Sequence, residues 1–288
     1  MAEMESNIAT LLVVCPDRKG IVAFLAQVLF GHGANIIDSD QHSDPVAGMF
    51  FQRIRFDTST MTTDRLALEN KLRDVGEKFS MTWRISYGTR VRRVALLVSK
   101  QDHCLYDLLI RHRSGELPCE IAMVVSNHAH AAPIAKHFDV PFHHLPVTPE
   151  TRSQQEAAIA ELIEMSNVDL VVLARYMQIL SPELVARFPM QIINIHHSFL
   201  PAFVGANPYR QAFEKGVKLI GATSHYVTAD LDQGPIIEQE TIRVSHRDSV
   251  DDLVRKGRDL EKTVLANAVR WHLQDRVLPY AGKTVVFE

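Results

Sequence analysis

Asn194, His196 and His197 close an apolar run, Ile192-Ile193-Asn194-Ile195-His196-His197. Polar side chains at the end of a buried strand need hydrogen-bond partners, water or a substrate. Residues two apart in a strand share a side, so Asn194 and His196 can converge on one oxygen. An amide and an imidazole at one point suit an oxygen that gains negative charge during a reaction. His197, next along the strand, is predicted to face the other way, which gives it a solvent or packing role. The pairs His143/His144 and His128/His130 are read the same way, as solvent-facing or packed rather than metal-ligating. No HExxH occurs, and Cys15, Cys104 and Cys119 are widely spaced without a CxxC. The expectation is reduced, mostly buried thiols and no metal site.

Bulk properties narrow the class of partner. The 288 residues suffice for two domains, with 46% hydrophobic and 23% charged residues, as in ordinary globular proteins. No apolar run approaches the roughly 18 residues needed to cross a bilayer. The start, "MAEMESNIATLLVV", has neither a signal-type segment nor an Arg-rich transit pattern, so a cytoplasmic protein is expected. A net charge of -3 without a dense Lys/Arg stripe argues against nucleic acid and for a small-molecule partner.

Two kinds of periodicity divide the chain. Up to residue 88 the pattern is strand ("ATLLVVC"), helix (Ile21, Phe24, Leu25, Val28, Leu29), strands "NIIDSDQHS" and "MFFQRIRFD", helix (Leu68, Leu72, Val75, Phe79) and strand "MTWRISY". That order, βαββαβ, is a split ferredoxin-like unit. After the basic linker "GTRVRR", five strand candidates, "VALLVS", "EIAMVVS", "VPFHHLPV", "VDLVVLA" and "QIINIH", alternate with helices near 103–113, 129–138, 152–165 and 181–188. Such alternation predicts an α/β domain over 93–288, a doubly wound, Rossmann-like parallel sheet with ligands beyond the carboxyl ends of its strands, where "NIHH" lies. A long packing helix is predicted from Ser249 to about Gln274, with Ser249 and Asp252 spaced as a capping box.

Residues 1–88, through "PDRKGIVAFLAQVLFGHGANIID", resemble the ACT domain, a regulatory module that binds amino acids. The resemblance implies effector contacts from Asp17, Gly20, Gly33, Asn35 and Asp38, with a carboxylate at the helix start and an ammonium near Asn35 and Asp38.

Residues 93 to about 240 resemble the formyltransferases that use 10-formyltetrahydrofolate, through the NIHxS…LP motif paired with the later "TSHYVTADLDQGPI". That resemblance implies catalytic roles for Asn194 and His196 as oxyanion donors and for Asp232, which would orient His196 or move a proton between the attacking water and the departing nitrogen. It also implies that Tyr176, Met177, Gln178, Ile179 and Leu180 surround the folate, with backbone groups of 177–180 reading its amide edge. His225 would help shape the site.

Relatives that formylate a phosphorylated amine hold its phosphate in a Gly-rich loop after the first strand. Here that stretch is "SKQDHCLYDLL", which has no glycine and carries Asp102, a poor phosphate cradle. With no acceptor, water is the remaining nucleophile. The ACT-like start, "HCLYDLL" and "NIHHSFLPAFVGANPY" together resemble the formyltetrahydrofolate deformylase family over nearly the full chain. The resemblance implies hydrolysis of 10-formyltetrahydrofolate to tetrahydrofolate and formate, no cofactor, a place in one-carbon metabolism, amino-acid effectors such as glycine and methionine, and a homo-oligomer, dimer or tetramer. The alternatives are a formyltransferase to an unphosphorylated amine and a non-catalytic, amino-acid-sensing folate binder.

Overall fold

The computed structural model describes residues 7–201 and 208–288; the "AFVGAN" part of the second motif lies outside them, as does the start of the N-terminal segment read for targeting. The chain forms two compact units. The first takes in the described residues up to Val91 together with 275–278 and 285–288, and the second takes in 92–274 and 279–284. The C-terminal tail therefore contributes to both, which a boundary near residues 88–93 alone does not foresee.

In the first unit β1 (Ile8–Pro16), α1 (Ile21–Gly31), β2 (Asn35–Asp44), β3 (Met49–Asp57), α2 (Arg65–Phe79) and β4 (Thr82–Tyr87) follow in the βαββαβ order. The sheet order is β2-β3-β1-β4, antiparallel throughout. One face carries the core, where Leu11, Val13, Ile54 and Phe56 meet Leu25 and Leu29 of α1 and Leu68 and Leu72 of α2. Burying each such side chain contributes about 1.5–3 kcal/mol. Asp64 caps α2 by accepting from the Ala67 amide at 2.8 Å.

The second unit is built on a seven-stranded sheet of order β11-β10-β9-β8-β5-β6-β7. Its parallel part comprises β5 (Arg92–Val98), β6 (Cys119–Ser126), a three-residue β7 (Phe142–His144), β8 (Leu170–Leu173) and β9 (Ile192–His196). The intervening helices are α3 (His103–Arg113), α4 (Ala132–His137), α5 (Arg152–Met165) and α6 (Pro182–Arg187). Beyond the five expected parallel strands, β10 (Leu219–Tyr226) and β11 (Ile236–Arg243) extend the sheet antiparallel past β9. Strand β11 is largely exposed and polar, as suits an edge, and β10 carries Gly221, Thr223 and Ser224, so neither reads as a core strand.

A short α7 (Pro208–Glu214) precedes β10, and α8 (Val250–Leu273) closes the unit behind a capping box of Ser249 and Asp252. Residues Val277–Tyr280 (β12) and Lys283–Val286 (β13) pair as a two-stranded sheet. No helix among the described residues is long and apolar enough to cross a membrane.

Candidate active site

At the carboxyl end of β9 the chain opens onto a cavity of about 820 Å³, lined by Asn194, His196, His225 and Asp232 together with residues 175–180. Strand pairing assembles the first three groups. Asn194 lies opposite His225 and His196 opposite Thr223 in the β9–β10 register, so Asn194, His196 and His225 point to one face. Asn194 Nδ2 lies 3.3 Å from His225 Nε2. His225 Nδ1 lies 2.9 Å from the Tyr226 carbonyl oxygen, which can only accept, so Nδ1 carries the proton and Nε2 accepts from the Asn194 amide.

Asp232 arrives from the β10–β11 loop. Its backbone is left-handed, with φ 56°, an uncommon conformation that Asp and Asn tolerate best among residues with a side chain. Two residues on, Gly234 passes so close to β10 that an added Cβ would lie 1.7 Å from the Tyr226 oxygen. Only glycine lets the loop fold back this tightly and carry Asp232 over the sheet end. There Asp232 Oδ2 lies 3.3 Å from His196 Nδ1 and Oδ1 lies 3.7 Å from His225 Nε2. Hydrogen bonding from His196 leads in holding the Asp232 carboxyl well below the usual carboxylate range. With Nδ1 of His196 turned to Asp232, its Nε2 is buried without a hydrogen-bond partner among the described residues. An orphaned polar atom in a residue that lines a cavity is what a site that completes itself with substrate leaves behind.

Residues 176–180 line the same cavity, Tyr176 buried and Met177 and Ile179 exposed. The backbone expected to read the folate's amide edge is partly committed: the Met177 amide donates to Ser99 Oγ at 2.9 Å, and the Ile179 carbonyl accepts from Arg152.

Several cavity residues are not singled out by the motifs. His197 departs from strand alternation because β9 ends at His196. The chain bends immediately afterwards, and the bend is held from β10 and β11: Thr223 Oγ1 donates to the Ser198 carbonyl at 2.9 Å and accepts from the Leu200 amide at 3.1 Å, while Gln239 Nε2 donates to the Leu200 carbonyl at 3.1 Å. The bend brings both histidine rings to the cavity, their centroids 5.5 Å apart. Burial, reinforced by the Arg175 guanidinium, pushes the His197 imidazole down to about 4.

Arg175, left-handed at φ 63°, turns a buried guanidinium to Gln101 Oε1 at 2.8 Å and to Glu261 Oε2 at 3.4 Å. Glu261 also accepts from Tyr209 at 2.6 Å and from His103 at 2.8 Å. Burial alone would raise the Glu261 carboxyl; His103, Arg175 and Tyr209 overcome that and hold it below its ordinary value. His103, Cys104 and Glu261 offer ligand atoms within 4.8 Å of one another. Burial pushes the Cys104 thiol well up, and Glu261 is already satisfied beside a guanidinium, so the chemistry of this cluster is that of an ion-paired hydrogen-bond network.

The five N-terminal residues do not converge within one chain. The Asp17 amide bonds the Gly48 carbonyl at 2.8 Å and Gly20 caps the start of α1, whereas Gly33 lies beyond the other end of that helix and Asn35 opens β2. The Asp38 carboxylate sits 3.2 Å from the buried Arg53 guanidinium.

Residues 92–269 match the family described as Formyl transferase. The formyltetrahydrofolate deformylase of Synechocystis sp. is 54% identical over 284 residues, covering 99% of this chain and 100% of its own length. That of Bacillus subtilis is 51% identical over 278 residues, 96% of this chain and 93% of its own. The crystal structure of a formyltetrahydrofolate deformylase from Pseudomonas syringae pv. tomato superimposes with a TM-score of 0.95 at 49% identity, covering 98% of this chain and 94% of that one. With likeness at this level along both units, the chain belongs to the formyltetrahydrofolate deformylase family.

Proposed function

We propose that the protein hydrolyses 10-formyltetrahydrofolate to tetrahydrofolate and formate, without a cofactor, in residues 93–288. The observation that carries this is the Asp232–His196 pair, with Nε2 of His196 unpartnered among the described residues, in a cavity that Asn194 also lines. Water attack on the formyl carbon turns the carbonyl oxygen into an oxyanion. One Asn194 N–H is directed to His225, leaving the second for that oxyanion. The Asp232 carboxylate fixes the ring of His196 and stabilises its imidazolium, the form whose Nε2–H donates to the developing charge. An Asp232 carboxyl held this acidic is a poor proton acceptor, which favours the orienting role over the proton-carrying one. Tyr176 and its neighbours to Leu180 supply apolar surface for the pteridine.

The stretch after β5 supports water over an organic acceptor. It has no glycine, and Gln101 within it is occupied by Arg175. Purified protein given 10-formyltetrahydrofolate in buffer should release formate and tetrahydrofolate in equal amounts. Strict dependence on an added amine, with the formyl group appearing on it, would make the protein a transferase instead.

The ferredoxin-like topology of the first unit supports an ACT domain that binds an amino acid, glycine or methionine, between copies of the chain. Asp17 and Gly20 lie at one end of α1 and Gly33 and Asn35 at the other, so a site using all of them needs two chains. Strand β2 is a sheet edge, mostly polar but carrying exposed Ile37 (50%), and Phe30 (82%) is exposed on α1; an open edge with such side chains is stable when covered.

A further inference from the structure

We infer that His197 holds the attacking water and takes its proton. The inference rests on the hydrolase reading and supplies the base that reading lacks. Asn194 presents a donor, His196 has one nitrogen on Asp232 and the other at the oxyanion position, and Asp232 faces both histidines. The Asn194 amide oxygen can accept a hydrogen bond but not a proton, and the Asp232 carboxylate, bonded by His196 and held well below the ordinary carboxylate range, is a weaker base than the His197 imidazole. His197 lines the same cavity, and neither of its ring nitrogens has a hydrogen-bond partner among the described residues.

The surroundings keep that imidazole neutral and in place. The charged and titratable groups facing it are Arg175, Glu261, His196, Asp232 and the Tyr209 phenol. The Tyr209 ring lies 6.1 Å from that of His197, fixed by its 2.6 Å bond to Glu261. Room for the phenol comes from Gly257 on α8, where an added Cβ would lie 2.0 Å from the Tyr209 oxygen. In the reaction a water lone pair forms the new C–O bond as one O–H proton passes to His197. The carbonyl electron pair moves onto oxygen, held by Asn194 and His196. Collapse re-forms C=O and breaks C–N, and the proton on His197 goes to the departing nitrogen. The formic acid produced ionises to formate.

The test uses the full-length protein and measures kcat and KM for 10-formyltetrahydrofolate. His197→Phe keeps a ring against Tyr209 and removes both nitrogens; kcat should fall by about a hundredfold or more with KM nearly unchanged. Added imidazole should restore turnover to His197→Ala, in proportion to its unprotonated fraction, which a packing role would not allow. A folded Phe variant with kcat within about threefold of wild type overturns the assignment. So does an Ala variant that loses activity without responding to imidazole, and this arm decides the matter if the Phe variant does not fold. Wild-type protein that releases no formate from the folate alone sinks the hydrolase reading itself; formate release by wild type and His197→Phe alike sinks only the role of His197.

Discussion

In the proposed mechanism Asp232 and His196 act as a pair, so removing either should cost kcat rather than substrate binding. His196→Ala and Asp232→Asn are each expected to lower kcat by about 10²–10⁴-fold, with KM little changed, in steady-state assays of folded protein. Added divalent ions or chelators should leave the wild-type rate where it is; an ion requirement would replace this mechanism. His197 and Asp232 also contribute to the acid side of stability. His197 is depressed to about 4 from an ordinary value of 6.5, so between those values the unfolded chain binds the extra proton and stability falls as pH drops through that window. Asp232 is depressed too, so its contribution is complete above the ordinary carboxylate value and is lost only at lower pH. Thermal denaturation from pH 7 to 4 should therefore show a decline that is smaller in His197→Phe.

Among elements, the β10–β11 hairpin has the most influence on the site, since it supplies His225, Asp232 and the hydrogen bonds that bend the chain after His196. Gly234→Ala should abolish turnover and lower Tm, because the Tyr226 carbonyl lies where the methyl must go. Helix α8 has a comparable role through Glu261: replacing it by Gln leaves the buried Arg175 without its counter-charge, at a cost of about 3–5 kcal/mol measurable by urea denaturation. The sequence made the parallel core legible, because β5, β6, β8 and β9 are short continuous apolar runs between helix signals. It concealed β10, whose Gly221, Thr223 and Ser224 serve close packing and hydrogen bonding rather than burial of bulk. The gathering of Asn194, His196 and Asp232 at one cavity was legible because the motif spells them out in order. His197 was not, because strand alternation holds only while the strand lasts, and the bend that ends it is fixed by residues remote in sequence.

At the scale of the molecule, the proposed regulation requires effector binding that differs between more and less active states. Calorimetry and activity measured together with glycine and methionine should show binding at millimolar concentration or below that alters turnover, and Asn35→Ala should weaken both. Binding without a change in rate would leave the N-terminal unit an assembly module. Its exposed β2 edge predicts an even-numbered homo-oligomer by light scattering, and a charged residue in place of Ile37 should dissociate it.

The left-handed backbone at Asp232 bears on how this chemistry could be watched. Few side chains accept that conformation, but asparagine does, and it matches aspartate in shape while removing the charge. Asp232→Asn is therefore expected to make a substrate trap: a folded protein that captures 10-formyltetrahydrofolate and releases it unchanged. Soaked into crystals or followed by folate absorbance, such a trap would hold a labile compound long enough to be seen whole.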